Sequence, residues 1–198
     1  MIALVDYGAG NITSVRKAFE FLGAPCRVTS DASDVAAADR IVLPGVGHFS
    51  GTLRLERNGL LATLQEQIDR GKPFLGICVG MQWMFAGSTE APGVRALALL
   101  AGECERFAPG IKSPHVGWNT ISIRRSSRLL RDVDDGTFFY YTHSYRAPVT
   151  DFTVADTEHG GAFSAIVERG NAFGVQFHPE KSGAAGLRLL RNFCELPC

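Results

Sequence analysis

A cysteine between two glycine positions is the residue of this sequence best suited to covalent chemistry. The segment Gly76-Ile77-Cys78-Val79-Gly80 lies between an apolar run that predicts a strand and one that predicts a helix. A nucleophile on such a sharp turn takes a strained backbone conformation and needs small neighbours. The free N–H groups of the helix start favour a thiolate, and the N–H of Val79 is placed to help stabilise an oxyanion. The alternative is that Cys78 is a small buried hydrophobic residue, as free cysteines usually are.

A histidine and a glutamate two residues apart are suited to serve as the base and its orienting group. His178-Pro179-Glu180 follows a predicted strand that ends at Phe177. Side chains two apart in an extended segment project to the same side, so Glu180 can hold the imidazole that acts as general base and acid toward Cys78. The alternative is a structural pair at the surface, but the cysteine turn upstream favours the catalytic interpretation.

A second glycine-rich turn also follows a predicted strand. In Leu43-Pro44-Gly45-Val46-Gly47 the backbone N–H groups, at Val46 and Gly47 in particular, are suited to complete an oxyanion hole opposite the Val79 amide. The alternative is a plain chain reversal, because Pro-Gly is a general turn signal.

The composition indicates a globular protein and argues against several functional classes. The 198 residues, 45% of them hydrophobic, suffice for one α/β domain, which we expect to span 1–198. Basic and acidic residues both number 20, so no net charge points to nucleic acid or to an anionic membrane. We expect no signal peptide and no membrane span, because the start is not basic and no run of about 20 apolar residues occurs.

The cysteines point to a reducing compartment. Their number is odd, their spacing is irregular and no CxxC pair occurs, which argues against a disulfide framework and a structural zinc site. We therefore predict a cytoplasmic protein that binds no metal and no cofactor. The five cysteines are Cys26, Cys78, Cys104, Cys194 and Cys198.

Short apolar runs alternate with amphipathic stretches along the first half of the chain. Strands are predicted at 2–5, 26–29, 40–43 and 73–78, with helices at 11–22, at 53–70 and from 81 onward. Such alternation favours an α/β fold with a central, mostly parallel sheet flanked by helices. In the C-terminal half, runs at 120–123, 137–141 and 173–177 predict added antiparallel strands before a closing helix at 183–193.

With these motifs the chain resembles the class I, triad-type glutamine amidotransferases. The segment from Gly76 to Gln82 and the downstream His178-Pro179-Glu180 match the two defining motifs of that family in order and spacing. Within the family, the chain is similar to the glutaminase subunits of imidazole glycerol phosphate synthases, which act in histidine biosynthesis. This closer resemblance covers almost the whole chain and is carried by 6–11, 43–47, 114–119, 143–145 and 181–183.

The resemblance implies a role for each matching residue. Cys78 would attack the carboxamide of L-glutamine, His178 would move the protons and Glu180 would orient it. The residues implied to bind glutamine are Gly47, Gln82, His143, Ser144 and Tyr145. The partner would be a cyclase subunit with a (β/α)8 barrel, which forms a heterodimer with the chain and receives the ammonia; the residues implied to face it are Asn11, Trp118, Asn119 and Lys181. We also hypothesise that the turn at Val46-Gly47 is mis-set until the cyclase docks.

Three other functions are weighed against this one. The glutaminase subunit of a synthase for vitamin B6, anthranilate or guanylate would share the triad, but the segments 6–11 and 114–119 argue against it. A dinucleotide-binding module is suggested by Gly8-x-Gly10 after a strand, yet Thr13 stands where a third glycine is needed. A catalytically silent regulatory partner would not need all three triad residues.

The remaining histidines have structural interpretations. His115 is interpreted as a loop or interface residue, and His159 as part of a hairpin turn before two glycines. His48 adds a titratable group beside the oxyanion turn, and the stretch 86–97 is short for the family.

Overall fold

The structure, a computed structural model, describes residues 1–197. This part of the chain contains thirteen strands and six α-helices. In chain order the strands are β1 (Ile2–Val5), β2 (Cys26–Thr29), β3 (Arg40–Gly45), β4 (Phe74–Cys78), β5 (Gly87–Ser88), β6 (Glu103–Arg106), β7 (His115–Thr120), β8 (Ser122–Ile123), β9 (Phe138–His143), β10 (Tyr145–Arg146), β11 (Thr153–Glu158), β12 (Ala162–Arg169) and β13 (Ala172–Val175). The helices are α1 (Ile12–Phe21), α2 (Ala32–Ala37), α3 (Leu53–Arg57), α4 (Leu60–Asp69), α5 (Val79–Gln82) and α6 (Gly183–Cys194).

The central sheet contains eight strands in the order β2-β1-β3-β4-β13-β12-β11-β8. The first five run parallel, and the last three are antiparallel additions from the C-terminal half. Strands β1, β4 and β13 are buried along their whole length, as expected of parallel strands that are covered on both faces. The predicted fold class, a single α/β domain with a mostly parallel sheet and added antiparallel strands, is confirmed.

The register of three parallel strands positions the segments that carry the chemistry. Strand β4 lies between β3 and β13, with Cys78 opposite Gly45 and Ile77 opposite Val175. The chain that leaves β13 continues directly to His178. Because parallel strands end at the same edge of a sheet, Cys78, the glycine-rich turn after β3 and the histidine segment meet there.

The predicted helix at 53–70 is wrong in one respect, because the structure has two helices there. Helix α3 ends at Arg57, and α4 begins at Leu60. Gly59 between them has a φ of 72°, a left-handed conformation that breaks the helical ladder and that glycine adopts without steric penalty.

The helix predicted to start near residue 81 is a single turn. Helix α5 ends at Gln82, because the carbonyl groups of Trp83, Met84 and Phe85 accept hydrogen bonds from the segment 97–100 instead of from a following helical turn. A macrodipole needs several aligned peptide units, so the dipole effect expected on Cys78 is small, and the individual N–H groups after it matter more.

Other elements carry weak sequence signals. Helix α2 buries only Val35 and depends on its cap, in which the Ser33 N–H donates to the Asp31 carboxylate over 2.7 Å. Strand β11 is buried at every position but the last, and β12 is buried at five consecutive positions, so they lack the alternation that reveals a strand. The run predicted as one strand at 120–123 is divided between β7 and β8.

Two smaller sheets cover one end of the domain. Strands β10, β6 and β5 form one, and β7 pairs with β9 antiparallel in the other, from His115 opposite His143 to Thr120 opposite Phe138. We call this second pair the β7–β9 ribbon. Its outer face exposes Val116, Trp118 and Phe138, whereas His115 on its inner face is buried.

One continuous apolar core joins the sheet to the helices on both sides. The thiols of Cys26, Cys78, Cys104 and Cys194 are free, and Cys198 lies outside the described residues. Within 1–197, no helix is long and apolar enough to cross a membrane.

Candidate active site

Cys78 lies on a strained turn at the carboxyl end of β4. Its φ of 55° and ψ of −110° place a non-glycine residue in a conformation that costs on the order of 1–3 kcal/mol. The side chain is 3% exposed, at the start of α5. Strain of this kind persists only where the surroundings enforce it, and it turns the sulfur out of the strand toward the sheet edge.

Two glycines allow the backbone to pass close to itself at this turn. A Cβ at Gly80 would overlap the carbonyl oxygen of Leu43 in β3, and a Cβ at Gly76 would overlap the carbonyl group of Gly80. These contacts are with backbone atoms, which cannot rotate away. The two glycines of the G-x-C-x-G spacing are therefore required by the close approach of α5 to the strands beneath it, and Cys78 lies midway between them.

His178 and Glu180 form a buried pair directly after β13. Nδ1 of His178 lies 2.9 Å from Oε1 of Glu180, and both side chains are almost fully buried. The backbone of His178 is fixed to β9, because its N–H donates to the Tyr140 carbonyl over 2.9 Å. The hydroxyl of Ser182 donates to the His178 carbonyl and accepts from the Tyr140 N–H.

The tautomer of His178 follows from this pairing. A carboxylate accepts, so Nδ1 carries a proton and Nε2 is the nitrogen left for chemistry. Burial by itself would lower the pKa of His178, but hydrogen bonding and negative charge from Cys78 and Glu180 outweigh burial and raise the pKa to about 10.

One buried glutamine, Gln176, contacts the Cys78 sulfur, and a second, Gln82, holds Gln176 in place. Nε2 of Gln176 lies 3.7 Å from the Cys78 sulfur, and its Oε1 accepts a hydrogen bond from Gln82 over 3.1 Å. Gln82 also donates to the Tyr145 carbonyl over 2.9 Å. Gln176 is a site residue that the sequence interpretation missed; its position two residues before His178, inside a buried strand end, is the signal that singles it out.

A cavity of about 150 Å³ opens beside Cys78. A depression of about 570 Å³ near Arg128 is larger, but neither a cysteine nor a histidine lines it, and it contains no residue of the triad. The cavity at Cys78 brings together all of the predicted glutamine-binding and oxyanion residues, and adds Thr142 and Glu90. Its lining residues are Val46, Gly47, Cys78, Val79, Gln82, Glu90, Thr142, His143, Ser144 and Tyr145.

Glu90 is a second residue that the sequence interpretation missed. Its Oε2 accepts from the Phe49 N–H over 2.8 Å, which ties it to the chain after the oxyanion turn. Among residues 1–197 it forms no ion pair with a basic side chain. No local motif marks it, because it lies in an irregular segment twelve positions after Cys78 and only the fold brings it to the cavity.

The turn after β3 contains a glycine in a left-handed backbone conformation. Gly47 has a φ of 88°, and a side chain there would meet no neighbour, so only backbone strain selects glycine. His48 is not directed at the cysteine: its Nδ1 accepts from the Ser50 N–H over 3.2 Å and caps the next helical turn.

The four residues expected at a partner face have different surroundings. Trp118 is 56% exposed on the outer face of the ribbon, and Nζ of Lys181 lies 5.9 Å from the ring centre of Tyr140 beside it. Nδ2 of Asn11 lies 3.4 Å from the Glu180 carboxylate. Asn119 points to the inner face, where its side chain contacts His115 and the Glu158 carbonyl.

The interpretation of His115 as a loop or interface residue is wrong. It begins strand β7, is 6% exposed and contacts His143 on the inner face of the ribbon. The cause is strand alternation, which turns His115 and Asn119 inward when Val116 and Trp118 face outward. His159 lies in the turn between β11 and β12, as predicted.

Comparison with known proteins identifies the family. A family model described as glutamine amidotransferase class-I matches residues 3–196. The chain belongs to the class-I glutamine amidotransferases, and it is an enzyme of that class. This assignment removes the dinucleotide-binding alternative.

Full-length relatives narrow the resemblance. A protein of Moorella thermoacetica named imidazole glycerol phosphate synthase subunit HisH is 46% identical, over 98% of this chain and 94% of the relative. A protein of the same name from Methanothermobacter thermautotrophicus is 49% identical, over 99% and 98%.

Solved structures agree on the fold. A crystal structure of a glutamine amidotransferase superposes with a TM-score of 0.78 at 16% identity, covering 98% of each chain. The structure of PurLQS from Thermotoga maritima gives 0.77 at 20% identity, over 97% of this chain and 96% of that one. At these identities the likeness concerns the fold alone.

The raised pKa of His178 predicts a pH-dependent contribution to stability. Because the folded pKa of about 10 exceeds the ordinary 6.5, this contribution is fully present below pH 6.5 and is lost as the pH rises through about 10. We expect the difference in unfolding free energy between the parent and His178→Gln to shrink across that range, as measured by urea unfolding. Groups that do not interact with His178 cancel in this difference, so a constant value would contradict the assignment.

Proposed function

We propose that this chain is the glutaminase subunit of an imidazole glycerol phosphate synthase. It hydrolyses L-glutamine to glutamate and ammonia, and it passes the ammonia to a cyclase subunit that closes the imidazole ring in histidine biosynthesis. The observation that carries this choice of partner is the full-length identity of 46% and 49% to relatives with that subunit's name. The fold alone does not separate this partner from others, because the structural neighbours at lower identity include other class-I enzymes.

The first half of the proposed reaction uses Cys78 and His178. The sulfur attacks the side-chain carboxamide carbon, and the resulting oxyanion is stabilised by the N–H groups of Val79 and of the Val46-Gly47 turn. The proton that the Cys78 thiol loses on attack passes to Nε2 of His178, which then gives it to the amide nitrogen. The C–N bond then breaks, leaving a thioester on Cys78 and free ammonia.

The second half returns the enzyme to its starting state. Water loses a proton to His178 as it attacks the thioester carbon. When the C–S bond breaks, glutamate leaves and His178 returns the proton to the Cys78 sulfur. Glu180 accepts from Nδ1 of His178 through the 2.9 Å contact and so keeps that nitrogen protonated. Gln176 supports the sulfur when it carries negative charge, because its N–H group points to it.

The proposed reaction is tested by glutamate release. We expect the isolated chain to turn over slowly, and the cyclase subunit with its nucleotide ligand to raise the rate at least about tenfold. Cys78→Ala should abolish turnover, whereas Cys26→Ala, a matched change at a half-buried thiol in β2, should not. Activation by the synthase subunit of a different pathway instead would contradict the histidine-biosynthesis assignment.

Glutamine recognition in this proposal depends on Glu90. The α-amino group of glutamine is cationic, and among the residues that line the cavity Glu90 is the one that carries a carboxylate. Its orientation is fixed by the Phe49 N–H, which leaves the second carboxylate oxygen for a ligand. A charged hydrogen bond of this kind contributes about 1.5–3 kcal/mol.

Glu90→Gln should therefore weaken substrate binding more than it slows chemistry. We expect the KM for glutamine to rise about tenfold or more and kcat to change little, because the α-amino group is remote from the reacting bond. Steady-state glutamate release measures both constants. Glu103→Gln, an exposed carboxylate in β6, is the control and should match the parent. A large fall in kcat with constant KM would contradict this role.

The outer face of the β7–β9 ribbon is the proposed docking surface for the cyclase, a (β/α)8 barrel in a heterodimer. Trp118 is 56% exposed and packs edge-on against Tyr140 at 6.0 Å between ring centres. Exposed Trp and Tyr side chains are typical of interface hot spots. Strand β9 of the ribbon is joined to the triad, because the Tyr140 carbonyl accepts from the His178 N–H.

A cytoplasmic location accompanies this proposal, because free thiols persist in a reducing compartment.

Substitution on this face should weaken the complex without changing the isolated chain. We expect Trp118→Asp to raise the Kd for the cyclase about tenfold or more, by calorimetric titration, because a desolvated aromatic anchor is replaced by a charge. The basal glutaminase rate should remain that of the parent. The control is Phe21→Asp on α1, where the parent side chain is 76% exposed. Equal weakening by both variants would argue against this surface.

A further inference from the structure

A chain of hydrogen bonds runs from Asn119, on the inner face of β7, to the glutamine cavity. Nδ2 of Asn119 lies 3.2 Å from Nε2 of His115, and Nδ1 of His115 lies 3.0 Å from Nε2 of His143. Nδ1 of His143 lies 2.8 Å from the Tyr145 carbonyl oxygen. We call these four groups the histidine relay. Neither imidazole is used in the proposed reaction, and both are 6% exposed.

Backbone groups beside Asn119, at the outer end of the histidine relay, determine the orientation of the Asn119 side-chain amide. Oδ1 of Asn119 accepts from the Thr120 N–H over 2.8 Å, and Nδ2 donates to the Glu158 carbonyl over 3.0 Å. A backbone N–H only donates and a carbonyl only accepts, so this amide has a single orientation. Its remaining hydrogen points at Nε2 of His115, which must accept.

That constraint propagates through both rings. If Nε2 of His115 accepts, its proton is on Nδ1, which donates to Nε2 of His143. His143 must then carry its own proton on Nδ1. The inner end independently demands the same result, because the Tyr145 carbonyl accepts only. The two ends agree, so both histidines are neutral and both are protonated at Nδ1.

Burial supports the neutral state of both rings. Desolvation lowers the pKa of His143 to about 3 and that of His115 to about 4, with a further lowering by neighbouring histidines. His159 stacks on His115 with 4.1 Å between ring centres, so a second ring adds to the desolvation.

The relay ends on an atom that the active site also uses. The Tyr145 carbonyl accepts from His143 and from Nε2 of Gln82, over 2.8 Å and 2.9 Å. The other hydrogen of that Gln82 amide goes to Oε1 of Gln176, whose N–H group points at the Cys78 sulfur over 3.7 Å. The orientation of every amide along this path is therefore determined.

We propose that His115 is a positioning residue of the glutaminase, which acts through the Nδ1-protonated form of His143 to hold the Tyr145 carbonyl, and that this carbonyl holds the Gln82 amide, which in turn aims the Gln176 amide at Cys78. The inference rests on the proposed glutaminase function for its kinetic consequence, but the proton positions do not depend on it. Loss of the His115 donor leaves Nε2 of His143 unpaired. His143 is then free to move its proton to Nε2, which turns a lone pair toward the Tyr145 carbonyl and loosens it.

Two substitutions separate positioning from packing. His115→Phe keeps a ring of similar size between Tyr141 and His159, with which His115 stacks at 4.9 Å and 4.1 Å, but removes the donor. His115→Asn removes most of the ring and places an amide nitrogen near the position of Nδ1, which restores the donor. A packing role predicts that the phenylalanine variant resembles the parent more closely; the positioning role predicts the reverse.

The proton positions are measured by two-bond ¹H–¹⁵N correlation of the ¹⁵N-histidine-labelled full chain, with His143→Gln to assign its signals. We expect His115 and His143 to be neutral and protonated at Nδ1 in the parent. In His115→Phe, His143 should shift toward the Nε2-protonated form, and in His115→Asn it should stay as in the parent. Protonation of His143 at Nε2 in the parent would overturn the proposal.

The functional consequence is measured with and without substrate. In His115→Phe we expect kcat for glutamate release, with the cyclase present, to fall about tenfold with little change in KM, and His115→Asn to recover most of it. Iodoacetamide alkylation of Cys78, followed by mass spectrometry, should slow in the same order, after correction for the folded fraction from thermal melts. A parent-like rate of alkylation in His115→Phe would overturn the proposal. Failure of the parent to hydrolyse glutamine would instead overturn the proposed function, while alkylation and proton positions would still decide the role of His115.

Discussion

The close passage of α5 across β3 is the contact on which the rest of the site depends. The carbonyl of Leu43 occupies the space in which a side chain at residue 80 would lie, and the Gly80 carbonyl does the same at residue 76. These approaches bend the chain so sharply that Cys78 takes a positive φ. Strain at Cys78 is maintained because the strands on both sides of β4 are packed into the core, with β13 buried throughout and β3 buried at every position except Arg40.

Burial on this scale gives the polar groups at the sheet edge their properties. His178 and Glu180 are removed from water together, and each partly replaces the solvent that the other has lost. The sulfur of Cys78 and the carboxylate of Glu180 raise the pKa of His178, whereas desolvation lowers the pKa of His143. The pKa values of these two buried histidines thus shift in opposite directions, because only His178 faces anionic partners.

The β7–β9 ribbon carries different chemistry on its two faces. Alternation along β7 turns Val116 and Trp118 outward, where they form an apolar surface. It turns His115 and Asn119 inward, where they belong to the histidine relay that ends at the cavity. Strand β9 is bonded to the backbone of His178 through Tyr140 and Ser182. A partner that binds the outer face therefore contacts strands whose backbone and inner side chains support both His178 and Cys78.

The sequence by itself determined the class of fold and the residues at the centre of the site. Glycine spacing around Cys78, apolar runs with helical stretches between them, and the His178-Pro179-Glu180 segment are local patterns with local physical causes. Gln176, Glu90 and the inward direction of His115 depended on tertiary structure, because strand order, register and face bring together residues that no short spacing connects. The divided helix at Gly59 and the single turn of α5 were also tertiary results, since competing hydrogen bonds and one left-handed residue outweighed helical periodicity.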